Sequence, residues 1–250
     1  MRTPSVVVLM TATVNPRGMV RTVVSDPDIR LREYHAVIRD ATSQLPGLPI
    51  VVCDNSGRGV EQVAQGEAPV SWLDQVQFIS FDDHEEAVRR GKGYGELGII
   101  EYALANVPAV SAANLVVKVT GRYRVANIGS LVHEIAGLGP VDVVVDMVAG
   151  LTQADCRFFA ASPGFLIGYL TPLRESIDDE HDVCFEHVLA RAVHRAMADG
   201  LVWRPMPDVP VIVGRSGTNG RPYASGRGRV MIRRVRKWMH RWSEARPLIH

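Results

Sequence analysis

Polar segments follow apolar, β-branched runs at several points in this chain. They are Thr11-Ala12-Thr13-Val14-Asn15-Pro16, Asp54-Asn55-Ser56-Gly57, Thr120-Gly121-Arg122-Tyr123-Arg124 and the single Asp146. Together they supply carboxylates, amides, hydroxyls and guanidinium groups, a set able to orient a polar ligand and to balance an anion. Each segment taken alone is also ordinary turn chemistry, Asp-Asn-Ser-Gly above all.

The segment Arg89-Arg90-Gly91-Lys92-Gly93-Tyr94-Gly95-Glu96-Leu97-Gly98 is the most distinctive stretch before a helix. Its alternate glycines allow close approach of a ligand, and the helix that follows offers free N–H groups to a phosphate. Lys92 adds a full charge. A Gly-x-Gly-x-x-Gly pattern at Gly93, Gly95 and Gly98 follows a charged helical stretch rather than a strand, which excludes the dinucleotide fingerprint. No Gly-Lys-Ser or Gly-Lys-Thr follows a four-residue spacer, so it is not a P-loop either. The plain alternative is a glycine break between two helical turns.

The run Asp178-Asp179-Glu180-His181-Asp182, with His187 and His194 beyond it, has no standard metal-ligand spacing. It reads as an acidic cap on a helix over 182–199. In that helix Asp182 and Glu186 would lie one turn apart and share a side, so either could face a cleft as a general base. Glu186 is the first candidate, with Asp182 and Asp146 behind it. A solvated surface carboxylate is the plain alternative.

These residues need elements to position them. Strand-like runs at 5–10, 48–53, 76–81, 114–119, 141–148 and 157–170 alternate with helical stretches at 28–44, 85–106, 129–138 and 182–199. Continuous apolar runs such as Val6-Val7-Val8 and Ile50-Val51-Val52 fit strands covered on both faces, so the expected fold is α/β with a mostly parallel central sheet flanked by helices. In such sheets ligands collect at the carboxyl ends of the strands, where the polar segments fall.

The composition agrees. At 250 residues, 46% hydrophobic and 22% charged, the chain can bury a sizeable core, which excludes a disordered, collagen-like or disulfide-scaffold protein. Cys53, Cys156 and Cys184 have no Cys-x-x-Cys spacing and read as buried reduced thiols. No apolar run approaches the roughly 18 to 20 residues that cross a bilayer, and Val6 to Met10 is too short for a signal-peptide core, so the chain is expected in the cytoplasm.

The net charge of +1 hides an asymmetry. Residues 226–250 hold eight Lys or Arg against Glu244 alone, a net +7, whereas 1–225 hold 20 basic and 26 acidic residues, a net −6. A helix over 230–242 would place Met231, Val235, Trp238, Met239 and Trp242 on one face, and Arg233, Arg234, Arg236, Lys237 and Arg241 over much of the rest. Such a basic amphipathic helix suits an anionic membrane surface, or it packs its apolar face on the domain. Nucleic acid fits poorly with the acidic body and the absence of a recognised binding motif. The preceding loop at 214–223, with Arg215, Ser216 and Thr218, has the composition of a lid that closes over an anionic ligand.

Read in order, Thr11-Ala12-Thr13-Val14-Asn15-Pro16, Val52-Cys53-Asp54-Asn55-Ser56-Gly57, Gly91-Lys92-Gly93-Tyr94-Gly95-Glu96, Lys118-Val119-Thr120-Gly121-Arg122-Tyr123 and Ser216-Gly217-Thr218 resemble bacterial and phage glycosyltransferases of surface polysaccharides. The likeness covers about residues 5 to 225. It implies a Rossmann-like GT-A catalytic domain over 1–225 and a basic tail over 226–250. It further implies a nucleotide-diphosphate sugar donor, with a UDP-sugar first, and a glycan, lipid-linked glycan or protein hydroxyl as acceptor. By the resemblance Thr11, Asp54, Asn55 and Ser56 contact the nucleotide and Lys92, Gly93 and Glu96 lie near the donor. Lys118, Thr120, Gly121 and Arg122 then stand at the central strand end.

One departure matters. Most GT-A enzymes carry an Asp-x-Asp at that strand end, where it holds Mn²⁺ or Mg²⁺ on the donor pyrophosphate. Here the position reads Thr120-Gly121-Arg122. The expectation is that Arg122, helped by Lys92 or Lys118, replaces the metal, since guanidinium and ammonium groups also bind phosphate. In the alternative, Asp54 or Asp146 holds a hard cation. Two rival functions stand beside glycosyl transfer: nucleotidyl transfer, which would need metal-binding carboxylates, and binding of a nucleotide or glycan without turnover.

Overall fold

The computed structural model describes residues 5–19, 22, 24–57 and 71–214. Arg215, Ser216 and Thr218 of the expected lid, and the whole basic tail, lie outside the described residues.

In chain order the elements are β1 (Val6–Ala12), α1 (Pro27–Gln44), β2 (Ile50–Asp54), β3 (Val76–Ser80), α2 (His84–Arg90), α3 (Lys92–Asn106), α4 (Pro108–Ser111) and β4 (Leu115–Thr120). There follow β5 (Arg124–Val125), α5 (Ile128–Ala136), β6 (Val143–Val144), β7 (Met147–Val148), β8 (Gln153–Ala154), β9 (Phe158–Ala161), α6 (Pro163–Phe165), α7 (Phe185–Ala198), β10 (Trp203–Arg204) and β11 (Ile212–Val213).

The central sheet has seven strands in the order β10-β6-β9-β4-β1-β2-β3. The β3-β2-β1-β4 block is parallel throughout, β9 runs antiparallel to both β4 and β6, and β10 is parallel to β6. The fold is therefore α/β with a mostly parallel central sheet. Every residue of β1 is buried, and its side chains alternate between two cores. Val7 and Leu9 meet Leu97, Ile100, Phe159, Phe185 and Leu189 on the α3 and α7 side. Val8 and Met10 meet Tyr34, Ile38, Leu131 and Phe158 on the α1 and α5 side. Among the described residues no helix is long and apolar enough to cross a membrane.

Several expected elements end differently, each for a local reason. The helical stretch 85–106 is two helices, because Gly91 between them takes φ +108°, a conformation that ends α2 and restarts the chain as α3. The strand expected over 157–170 stops at Ala161, where Ser162 caps the turn of α6 by accepting from the Phe165 amide and Pro163 cannot continue a strand ladder. The run 141–148 divides into β6 and β7, with Asp146 between them accepting from the Met206 amide at 3.0 Å. The helix expected from 182 begins at Phe185. Asp182 sits before it in the left-handed region at φ +58°, inside a turn closed by the Asp178–Val183 bridge. Asp182 and Glu186 therefore do not share a helix side.

Candidate functional site

Strands β1 and β4 lie side by side, yet β2 is on the far side of β1 and β9 on the far side of β4. Such a divergence opens a crevice beyond the strand ends. The crevice here is a cavity of about 490 Å³. Thr11 and Ala12 reach it from β1, Thr120 and Arg122 from the end of β4, Lys92, Gly93 and Glu96 from α3, and Cys184, Phe185 and Glu186 from the start of α7.

A buried charge pair forms its floor. The Lys118 side chain is only 1% exposed. Its ammonium donates to Glu96 Oε1 at 2.5 Å, to Thr120 Oγ1 at 3.0 Å and to the Cys156 carbonyl at 2.6 Å, which uses all three donors. The rings of Phe185 and Phe159 lie 5.6 and 5.9 Å from the same nitrogen. Glu96 Oε1 accepts further hydrogen bonds from Thr11 Oγ1 at 2.7 Å and Thr120 Oγ1 at 2.8 Å. Thus three elements, β1, β4 and α3, meet on one carboxylate oxygen. An ammonium this deep is tolerated only because a carboxylate and two neutral acceptors satisfy it. Lys118 accordingly shapes the floor and does not line the cavity.

Asp54, Asn55 and Ser56 are fully buried and stand behind the site. Asp54 Oδ1 accepts from the Val14 amide at 2.7 Å, and its Oδ2 from the Ser56 amide and hydroxyl at 3.0 and 2.8 Å. Ser56 Oγ accepts from the Asn15 amide, and Thr13 Oγ1 donates to Asn55 Oδ1. This network fixes the loop after β1, whose Thr13 and Pro16 do line the cavity. From the other side Arg30, itself buried, donates to the Thr13 carbonyl, the Val24 carbonyl and Tyr34 Oη. Gly121 joins the two strand ends: its amide donates to the Thr11 carbonyl at 2.9 Å, and a Cβ there would stand 2.7 Å from that oxygen.

The α3 N-terminus faces the cavity, but a group of the chain itself sits on it. The Asp179 carboxylate accepts from the Lys92 and Gly93 amides, the latter at 3.4 Å. Burial outweighs these bonds and pushes the Asp179 carboxyl above its ordinary range. The acidic run thus caps α3 rather than α7, while Asp178 caps its own short turn by accepting from the Glu180 and His181 amides. Gly95 and Gly98 serve packing: a Cβ would lie 2.8 Å from Asn55 Nδ2 at Gly95, and 2.5 Å from an Arg174 nitrogen at Gly98.

Arg122 lines the cavity and donates from Nε to Glu33 Oε2 at 2.8 Å. Cys184 is the N-cap of α7, its sulfur 3.1 Å from His187 Nδ1, while His187 Nε2 is 3.0 Å from Gln153 Nε2. Burial first, and then the charge of Glu186, push the Cys184 thiol up to about 11, so it is protonated at neutral pH. Asp146 and Asp182 do not line the cavity. Among the described residues no group of three His, Cys, Asp or Glu could hold a metal ion. The donor set at the strand end, Thr120-Gly121-Arg122, carries a cation where a hard ion would need carboxylates.

No protein-family model and no characterised protein sequence matches the chain. Its architecture is similar to that of solved structures at low identity. For the galactosyltransferase LgtC in complex with donor and acceptor sugar analogues the TM-score is 0.48 at 10% identity, covering 79% of this chain and 72% of that one. For Rv0371c from Mycobacterium tuberculosis H37Rv the TM-score is 0.46 at 13% identity, covering 94% and 100%. For a nucleotidyl transferase from Methanothermobacter thermautotroptrophicus the TM-score is 0.45 at 13% identity, covering 93% and 99%. None of these similarities carries a residue or an activity over to this chain.

Tyr123 of the segment after β4 lines the cavity, as do Arg157, Gln153, Tyr34 and Asp179, which lie outside the polar segments at the strand ends. Arg157 shows why. It precedes β9, and because β9 is antiparallel its amino end meets the carboxyl end of β4, where the Thr120 amide donates to the Arg157 carbonyl at 2.9 Å. Its side chain is held by a two-pronged contact with Asp155 at 2.7 and 2.6 Å. The direction of a strand leaves no mark in its own residues.

Proposed function

We propose that this chain transfers a sugar from a nucleotide-diphosphate sugar to a hydroxyl acceptor. The observation that carries this reading is one cavity at the β1/β4 divergence lined by Lys92, Arg122 and Arg157 together with the carboxylates of Glu96 and Glu186. A departing nucleoside diphosphate gains negative charge as the glycosidic bond breaks, and fixed guanidinium and ammonium groups stabilise it. The acceptor hydroxyl must lose a proton as it attacks if configuration inverts, and Glu186, in the first turn of α7, is the base assigned to it. A volume of about 490 Å³ falls in the range that encloses ligands of this size.

In this reading the reaction needs no divalent ion, with Arg122, Lys92 and Arg157 in its place. A UDP-sugar is the preferred donor and a glycan or lipid-linked glycan the preferred acceptor, with the basic tail holding the enzyme on an anionic membrane face. Nucleotidyl transfer is the second reading, told apart by release of pyrophosphate from a nucleoside triphosphate.

The test is a thermal-shift screen with UDP, GDP, CDP, ADP and their sugar conjugates, with and without EDTA, followed by product analysis. The reading expects a selective rise that survives EDTA, because a ligand of the native state stabilises it by mass action. It also expects release of nucleoside diphosphate rather than pyrophosphate. Glu186→Gln should keep that thermal shift and lose turnover by about 10²- to 10⁴-fold. Pyrophosphate release from a triphosphate, or unaltered turnover in Glu186→Gln, would overturn the respective assignment.

A further inference from the structure

The two oxygens of Glu96 are in different situations. Oε1 carries three donors, from Lys118, Thr11 and Thr120. No described residue donates to Oε2, although the side chain lines the cavity and is 18% exposed. Three donors from two strands on one oxygen hold the carboxylate against rotation, so its second oxygen is presented in a fixed direction. We propose, resting on the nucleotide-sugar reading above, that Glu96 reads a hydroxyl of the ligand, its Oε2 accepting from one O–H or from a vicinal diol of the nucleotide sugar.

The chemistry of the partner follows from charge. A phosphate oxygen would be repelled by the carboxylate and has no proton to give at neutral pH. A cation has no advantage, because the 2.5 Å contact with Lys118 already cancels the charge of Glu96. A neutral donor remains, and hydroxyls are the donors a nucleotide sugar offers in number. The paired lysine also lets a carboxylate stand in the same cavity as the diphosphate without adding net negative charge there. The ribose and the transferred sugar both carry such hydroxyls, and the Thr11 and Thr120 bonds fix the oxygen for either.

The experiment is calorimetric titration of the full chain with the nucleotide sugar that binds in the thermal-shift screen, and with analogues lacking one hydroxyl each on the ribose or on the hexose. One analogue should bind about 10- to 100-fold more weakly than the parent, the loss expected for a hydrogen bond to a charged group. In Glu96→Leu/Lys118→Met, which removes the charge pair together so that no buried ammonium is stranded and leaves no polar atom at the position of Oε2, that loss should shrink to about 2-fold or less, the usual limit of additivity. A loss on removing a ribose hydroxyl assigns Glu96 to the nucleotide, and a loss on removing a hexose hydroxyl assigns it to the transferred sugar. The inference is overturned if every deoxy analogue binds within about 2-fold of the parent, or if the loss is unchanged in the double variant. If no nucleotide or nucleotide sugar binds at all, the proposed function fails and this inference with it.

Discussion

Lys118 Nζ stands 2.5 Å from Glu96 Oε1 at the place where β1 and β4 end side by side. A strand residue and a helix residue 22 positions apart thereby tie the sheet to α3 directly beneath the cavity. The strength of this tie is asymmetric, because the lysine is buried and the glutamate is open on one side. Glu96→Gln leaves a buried ammonium without its counter-charge, at a cost of about 3–5 kcal/mol. For a domain of this size that lowers the melting temperature by about 10 °C. Glu96→Gln/Lys118→Met should recover most of the loss. Calorimetric melts of the two variants check this, and equal melting temperatures would contradict it.

Gly91 is the joint between α2 and α3, at φ +108°. A Cβ there would fall 2.2 Å from Asp179 Oδ2. Gly91→Ala therefore meets both backbone strain and the carboxylate that caps α3. It should destabilise by about 1–3 kcal/mol and, by displacing Lys92, weaken nucleotide binding. Denaturant unfolding and the thermal-shift assay measure the two effects separately. A variant as stable as the native chain would show that this joint is not constrained.

Asp179 makes stability depend on pH in a direction opposite to most acids. Burial disfavours its charged form, so the folded chain takes up a proton at higher pH than the unfolded chain, whose reference value is 3.8. The stability linked to this group is complete below that value and is lost as pH rises through the raised value of the folded state. Asp179→Asn keeps an oxygen for the Lys92 and Gly93 amides and removes the buried charge. Its melting temperature relative to the native chain should be higher at pH 7 than at pH 3, and melts across that range read the difference. A variant whose deficit or gain is constant with pH would refute the assignment.

The three thiols should be slow to react. Burial raises the pKa of Cys53 and Cys156, and Cys184 is pushed up to about 11, so thiolate is scarce at pH 8. Cys184 alone of the three is only part-buried, and it lines the cavity. Iodoacetamide on the native chain should therefore modify Cys184 first, slowly, and bound nucleotide sugar should slow it further. Mass spectrometry of timed samples resolves the order. Faster labelling of Cys53 would mean that the sheet opens more readily than its packing implies.

The alternation of elements, the buried central strands and the parallel block β3-β2-β1-β4 were legible because strands covered on both faces are continuously apolar. So was the meeting of Thr11, Thr120 and Arg122 at one crevice, since the carboxyl ends of adjacent parallel strands face it. Asp54 and Asp146, expected there on the same ground, do not line it, and Lys92, Glu96 and Glu186 reach it from helices. The residues themselves did not reveal which polar groups face the ligand and which hold the loop. Asp54 and Asn55 look like ligand groups in the sequence, but their oxygens are turned inward onto Val14, Ser56 and Thr13. The acidic run at 178–182 has the pattern of a cap for the helix that follows it, yet Asp179 caps α3 instead, 86 residues before it in the chain. Arg157 was hidden by the reversal of β9, and the roles of Lys118 and Glu96 by a contact between elements distant in the chain. Local pattern determined the elements and their periodic faces, because hydrophobic spacing is a property of neighbouring residues. Hydrogen-bond partnership across elements was decided by tertiary structure alone, because it depends on strand direction and on which of two buried faces each polar side chain meets.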